Sequence, residues 1–450
     1  MFRETLANRV ISIQHTGIKS LRKELTETEF YDPSQIKDYQ NNKLRQLIQH
    51  SYLNVPYYKQ IFDEHKIKPV DIKSIEDLAM LPILEKSTIQ RNFHLLTASN
   101  SAKYFKRTTS GSTGAPLKIL YDKGNKLIEI SLMLRFLSGI GKDIGSKEIN
   151  LWGRPDNTTW AKLIRFIKGF LYNTEFWNVY LFKDKDYSDI ISKIMKNPKI
   201  HLRGFTQAVF MLACKLRENN ISINVEAVSV TAEKLLNAQR EVIERYLTKN
   251  LYDQYGCGEV NSIAFECNHH NGLHHAFEHS VLEIVNDDNT VAMNKGAVVI
   301  TNLDNYAMPL IRYRNGDLIK LSDKICDCGR SGNLIQSIDG RLYDFLVGAN
   351  GVKVHSAFLD HILVDSNLLE RYKVREMRII QTEVEVLVLQ YVSELEIPEV
   401  SFKSFEHEII EHLGVMKIIY LKKDFLKDTR NGKRRFVIPL NEYLKDPAIL

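Results

Sequence analysis

The sequence predicts an α/β protein in two parts: a large body of mixed sheets and helices over residues 1–343, and a small α+β unit over residues 344–450. Three observations predict it. From Asn150 to about Ile300, strand-like and helix-like patterns alternate, a rhythm that requires crossover connections and a mixed or parallel sheet. From Glu278 to Leu321 the character changes to strand and turn. Beyond IDGRLYD (Ile338–Asp344), an order of strand, helix, strand, strand, helix, strand forms a split β-α-β pattern.

The elements follow from residue spacing. In KLRQLIQHSYLNVPYYKQIF, Leu44, Leu47, Ile48 and Ser51 share one helical face, and the helix halts at Pro56. LAMLPILEKSTIQRNF turns at Pro82 before a second helix opens near Ser87. PLKILYD (Pro116–Asp122) reads as a strand, and GIGKDIG (Gly139–Gly145) as a surface turn, because its nearest strand, INLWG, follows rather than precedes it. Next come helices in DYSDIISKIMKN, TQAVFMLACKLREN and LLNAQREVIERYL, with strands in HLRGF, VEAVSVTAE and NLYDQYG. SVLEIV, AVVITNL and PLIRYRNGDLIKL continue as strands. The terminal unit uses VKVHSA, FLDHILVDS, VREMRIIQ, EVEVLVLQY, SFEHEIIEHLG and KIIYLKK in that order.

The 450 residues are 44% hydrophobic and 26% charged, enough to bury a large core and unlike a disordered chain. The net charge of +6 suits polyanionic small molecules as well as nucleic acid. The first residues lack an apolar signal core, and no run of about 18 apolar residues follows, so the expectation is a cytoplasmic protein without a membrane span.

Between Arg107 and Asp122, RTTSGSTGAPLKILYD crowds Thr108, Thr109, Ser110, Ser112 and Thr113 around Gly111 and Gly114. So many hydroxyl donors and permissive glycines before a strand suit a loop that wraps an anion. It is not a P-loop: the glycines are two residues apart rather than four, Ala115 stands where lysine is needed, and the loop feeds a strand instead of a helix.

SGSTGAP, YGCGE (Tyr255–Glu259), IRYRNGD (Ile311–Asp317), IDGRLYD and RNGKRR (Arg430–Arg435) together resemble the motifs of the adenylate-forming ligases in order and spacing. LIQHSYLNVPYYK and LPILEK resemble the phenylacetate:CoA ligase branch, which includes relatives encoded with capsular polysaccharide genes. The resemblance covers nearly the whole chain. It implies a large N-terminal adenylate-forming domain, a small mobile C-terminal domain, and ATP as the anion.

By that resemblance Thr109, Ser110, Gly111, Ser112, Thr113 and Gly114 contact phosphate, Tyr255 and Gly256 lie against adenine, and Asp317 accepts the ribose hydroxyls, where the local alternative is a pair with Arg312 or Arg314. Arg341 contacts phosphate or ribose. Glu259 holds Mg²⁺ against the phosphates, Lys433 is the mobile catalytic cation, and Asp344 is the hinge of a domain rotation. The implied reaction is ATP-dependent activation of a carboxylic acid, with pyrophosphate release and transfer to coenzyme A. The resemblance favours an aryl acid. The alternative is a hydroxy or amino acid activated for another acceptor in surface polysaccharide synthesis. The acid pocket is expected to include His201–Gln207, with Glu233 as a candidate.

Four cysteines fall late. Cys267 opens CNHHNGLH, which ends at His274, and CDCG supplies Cys326 and Cys328. Two thiolates one residue apart, facing a cysteine and a histidine, would give closed tetrahedral Cys₃His coordination of a structural Zn²⁺, with His269 and His270 as rivals to His274. Similar stretches occur in the branch resembled. Cys257 reads as a pocket wall.

Two alternatives belong to other classes. A zinc-containing nucleic-acid-binding protein would use the positive charge and basic tail, but no stripe of basic and aromatic residues accompanies them, so no nucleic acid is expected. WAKLIRFIKGFLY (Trp160–Tyr172) has aromatics and lysines at helical spacing, which suits a membrane-surface helix; a helix packed on the sheet is the expectation.

Overall fold

The computed structural model describes residues 2–100, 103–109, 117–152, 159–179, 184–341, 345–348, 351, 353–355, 371–427, 436–444 and 446–450. The chain divides into two compact units, residues 1–146 with 252–339, and residues 147–251 with 340–450.

The first unit opens with helices α1 (Phe2–Gln14), α2 (Ile18–Thr28), α3 (Pro33–Asn54), α4 (Pro56–Glu64) and α5 (Lys86–Arg91). Asp32 caps α3 by accepting from the Ser34 and Gln35 backbone N–H groups, while Gln35 reaches back to the Asp32 N–H. Leu44, Leu47, Ile48 and Ser51 are fully buried on its inward face, as the spacing predicts. Pro56 ends α3 by opening α4, where its missing N–H is harmless. Leu84 of LPILEK exchanges backbone hydrogen bonds with Arg312 and Arg314, aligning this segment with the strand that carries Asp317.

Strands β1 (Phe105–Thr109) and β2 (Leu117–Tyr121) pair antiparallel with Thr109 opposite Leu117, so the hydroxyl loop joins two strands. Helix α6 (Lys123–Gly139) follows, capped by Asp122, and GIGKDIG is the turn after it, with Gly141 and Gly145 at positive φ.

In the second unit, β3 (Glu148–Trp152), α7 (Thr159–Tyr172), β4 (Thr174–Asn178), α8 (Asp184–Lys196), β5 (His201–Phe205), α9 (Thr206–Glu218), β6 (Ala227–Thr231) and α10 (Asn237–Tyr246) alternate; the alternation is the expected one, with β4 an added strand that the sequence reading did not include. The strands run parallel in the order β6-β5-β3-β4. Ile149, Leu151, Leu202, Val228 and Val230 point to one face and pack with α8, α9 and α10. This is the covered face that parallel sheets require.

The chain then returns to the first unit through β7 (Leu251–Tyr255), β8 (Ala264–Glu266), β9 (Leu273–His275), β10 (Ser280–Val285), β11 (Lys295–Asn302), β12 (Tyr313–Leu321) and β13 (Leu334–Arg341). Their order is β10-β11-β12-β13-β9-β8-β7. Apolar residues of α3, α4, β2, β11 and β12 share one core there.

The terminal segment contains β14 (Phe345–Val347), β15 (Lys353–His355), β16 (Val374–Glu383), β17 (Val386–Ser393), α11 (Lys403–Leu413), β18 (Lys417–Lys422), β19 (Val437–Ile438) and α12 (Leu440–Tyr443). Its sheet order is β18-β17-β16-β19. One strand differs from expectation: VKVHSA pairs as β15 with β14 in a separate antiparallel ribbon, and β19 takes the fourth place in the sheet. The FLDHILVDS helix lies outside the described residues.

Candidate nucleotide site and cysteine cluster

Tyr255, Asn315 and Asp317 form one buried polar group. Tyr255 Oη donates to Asp317 Oδ2 at 2.8 Å, and Asn315 Nδ2 donates to Tyr255 Oη at 2.7 Å and to Asp317 Oδ2 at 2.9 Å. The Asp317 N–H donates to Asn315 Oδ1 at 3.0 Å. Gly316, between the two acceptors, has φ +85°, which glycine adopts without the steric cost other residues meet, and the β11–β12 register shifts beside it. Burial first, and then the Asp317 charge, push the Tyr255 hydroxyl well above its ordinary range, so it stays a donor at neutral pH. Nearby, Arg312 pairs with Glu283 at 3.0 Å and Arg314 with Glu85 at 3.2 Å.

The bend after β7 carries Glu259. The Cys257 N–H donates to the Val260 carbonyl at 2.9 Å, closing the bend, and Val260 is buried beneath it. Burial, with the nearby charges of Glu259 and Asp317, pushes the Cys257 thiol up, which keeps it protonated at neutral pH.

Arg107 connects this bend to the hydroxyl hairpin. It lies two residues before Thr109, and its guanidinium grips Glu129 of α6 with both nitrogens, at 3.1 and 2.7 Å. The same Nη1 donates to the Gly258 carbonyl at 3.3 Å, and the guanidinium lies 4.5 Å from the Tyr121 ring centroid. Burial alone would raise the Glu129 carboxyl; the hydrogen bonds and charge of Arg107 outweigh it and hold the group below its usual range.

The predicted residues divide as follows. Tyr255, Gly256, Glu259 and Asp317 fall in one unit, together with β1, whose last residue is Thr109. Arg341 ends β13. Ser110, Gly111, Ser112, Thr113, Gly114, Asp344 and Lys433 lie outside the described residues. Sequence reasoning missed Arg107, Asn315 and Glu129 as functional supports. The first two stand inside motifs already singled out, whereas Glu129 carries no local signal.

In the second unit, the expected pocket segment forms β5 and the start of α9. Phe205 packs on Trp152 with ring centroids 4.7 Å apart, and Arg203 lies 6.0 Å from the Trp152 ring centroid. Glu233 accepts from the Gln207 N–H at 2.9 Å through its carboxylate and from Thr206 Oγ1 at 2.9 Å through its carbonyl. That makes it a cap for the first turn of α9.

The cysteine cluster assembles from strand register. Cys267 follows β8, His274 sits in β9 opposite Phe265 and Leu334, and Cys326 and Cys328 occupy the turn before β13. The ligand atoms of Cys267, His274, Cys326 and Cys328 all lie within 4.8 Å of one another, with Cys267 Sγ to Cys326 Sγ at 3.6 Å and Cys328 Sγ to His274 Nε2 at 3.3 Å. Around a tetrahedral zinc with bonds of about 2.3 Å, two sulfurs stand about 3.8 Å apart, so the donor set and spacing fit that ion. His270 is committed elsewhere, bonded to Glu266 at 3.0 Å and stacked on Tyr252. His269 is not part of the cluster.

No protein-family model matches the chain. It is 24% identical over 359 residues to a phenylacetate-coenzyme A ligase of Thermus thermophilus, covering 75% of this chain and 77% of that one. It is 21% identical over 409 residues to protein CapK of Staphylococcus aureus, covering 89% and 88%. A crystal structure of 2-hydroxyisobutyryl-CoA ligase in the postadenylation state superposes with a TM-score of 0.74 at 16% identity, over 94% of this chain and 93% of that one. The chain is thus similar in sequence to phenylacetate-coenzyme A ligases and to CapK, and shares its fold with an adenylate-bound CoA ligase. Within the first unit, the buried Tyr255–Asn315–Asp317 group, the Glu259 bend and the β1–β2 pair tied to it by Arg107 form the candidate nucleotide site.

Proposed function

We propose that this protein activates a carboxylic acid with ATP, releasing pyrophosphate, and passes the acyl group from the adenylate to the thiol of coenzyme A. The observation that carries the reading is the buried Tyr255–Asn315–Asp317 group, with the Glu259 bend in the same unit. The likeness to the phenylacetate-coenzyme A ligases supports the reaction class.

In the first step a carboxylate oxygen attacks the α-phosphorus in line and the bond to the pyrophosphate oxygen breaks. Thr109, Ser110, Gly111, Ser112, Thr113 and Gly114 would donate to the phosphates. Tyr255 and Gly256 would flank adenine, Asp317 would accept from the ribose hydroxyls, and Arg341 would contact ribose or phosphate. Glu259 is the residue that would hold Mg²⁺, which supplies charge neutralisation between the phosphates. Lys433 would offset the negative charge that grows between carboxylate and α-phosphate. In the second step the thiolate attacks the acyl carbonyl carbon and AMP leaves. A domain of residues 344–450 would turn about Asp344 between the steps. Cys267, His274, Cys326 and Cys328 would hold a structural Zn²⁺; four protein ligands leave no open position for chemistry.

In a second reading the same adenylation serves a non-aryl or amino acid and another acceptor. Pyrophosphate release with ATP and Mg²⁺ over a panel of carboxylic acids, with and without coenzyme A, tests both. Turnover that depends on one acid, reduced about a hundredfold or more by Lys433→Ala, is the expected result. Release with no acid in the panel would contradict the reading.

A further inference from the structure

The parallel strands of the second unit have a second face. Ile149, Leu151, Leu202, Val228 and Val230 pack into the apolar core. By the two-residue period of a strand, Asn150, Trp152, Arg203, Phe205 and Ser229 face the other way. Register sets Arg203 of β5 between Asn150 of β3 and Ser229 of β6. Glu148 and His201, at the amino ends of β3 and β5, are buried, whereas Asn150, Trp152, Arg203 and Phe205 are half-buried, so this face opens toward the carboxyl ends of the strands. That is the end at which open parallel sheets receive ligands.

Two donors on this face lack acceptors. The Arg203 Nε is buried with no hydrogen-bond partner among the described residues, and its guanidinium carbon lies 6.0 Å from the Trp152 ring centroid. The Ser229 hydroxyl, on a fully buried side chain, has none either. Burial pulls the Arg203 pKa below its ordinary value, and the charge of Glu148 offsets only part of that. A desolvated cation and a desolvated hydroxyl each cost stability until an acceptor reaches them. A guanidinium presents a planar fork that matches a carboxylate. The reacting carboxylate is a poor candidate, because lone pairs held by a guanidinium are withdrawn from attack on phosphorus. A second carboxylate on the same acid carries no such conflict. Trp152 and Phe205, with ring centroids 4.7 Å apart, offer an aromatic wall to the carbon skeleton between the two.

We propose that Arg203 receives a second carboxylate of the acid, which makes the substrate class a dicarboxylic acid, with Ser229 as a further donor and Trp152 and Phe205 against the skeleton. This rests on the adenylation reading, in which His201–Gln207 contributes to the acid pocket.

Two readouts on the full chain keep the proposal and that reading apart. Calorimetric titration, with and without a non-hydrolysable ATP analogue, compares succinate, glutarate and terephthalate with butyrate, valerate and benzoate. Pyrophosphate release with ATP and Mg²⁺ is measured over the same acids. At least one dicarboxylate should bind the wild type at least about tenfold more tightly than its monocarboxylate match, Arg203→Gln should abolish the preference, and Arg203→Lys should retain part of it. Wild type without a dicarboxylate preference in either titration would overturn the proposal, whatever the variants do. So would a preference that Arg203→Gln leaves undiminished. Preferential binding with no pyrophosphate release would support the Arg203 site and count against the adenylation reading. Release with monocarboxylates alone would overturn the Arg203 proposal and leave that reading standing.

Discussion

Arg107 shows how much one side chain can organise. Its guanidinium joins the strand entering the hydroxyl loop to α6 and to the carbonyl just before Glu259, and both members of the Arg107–Glu129 pair are largely buried. Removing the cation leaves a largely buried carboxylate without its ion-pair partner. Arg107→Met should therefore lower stability by about 3 kcal/mol, while the double variant with Glu129→Gln recovers part of the loss; denaturant unfolding measures both. The sign with pH follows from Glu129, whose carboxyl is held below its usual range. Its pairing stabilises the fold above the unfolded carboxylate value of about 4.3 and is lost as the pH falls through the lower folded value. The acid-side loss of stability should be shallower in the double variant than in the wild type. Tyr255 and Asp317 were legible in the sequence because each stands in a motif with chemistry of its own. Glu129 was not, since its role comes from a contact with a residue 22 positions away and nothing in α6 marks it.

Register decides the cysteine cluster at the scale of elements. The spacing of CNHHNGLH and CDCG pointed to four ligands but left three histidines open, because all three fall within one short segment. Pairing of β9 with β8 and β13 settles the position of His274 beside the thiols, whereas His270 lies against Glu266 and Tyr252. Cys326→Ser and Cys328→Ser should each reduce bound zinc from about one per chain to below about a tenth by elemental analysis, with a lower melting temperature. Undiminished metal content would count against the site. Gly272 sets the entry to β9: it has φ +134°, and an added Cβ would lie 2.5 Å from the Ile335 carbonyl oxygen. Gly272→Ala should cost about 1–3 kcal/mol in thermal or denaturant unfolding. The misassigned terminal strand has a similar origin. The alternation in VKVHSA marks a strand but not its partner, and the partner, β14, is a three-residue strand too short to announce itself.

Over the whole molecule, most of the architecture was written in periodicity. The alternation expected from Asn150 to about Ile300 holds as far as β7, and the strands expected between Glu278 and Leu321 form β10, β11 and β12, because buried parallel strands and half-buried antiparallel ones leave different patterns; β4, β8, β9 and β13 were not read. The grouping of residues 147–251 with 340–450 in one compact unit was not legible, because contact between distant segments has no local signature. The central claim is that Asp317 and its buried partners hold the ribose of ATP. Calorimetric titration with a non-hydrolysable ATP analogue and Mg²⁺ tests it most directly, comparing wild type with Asp317→Ala after checking that both are folded. One site per chain, weakened at least about tenfold by the substitution, is the predicted result. Equal affinity in the two proteins, or no binding by the wild type, would contradict it.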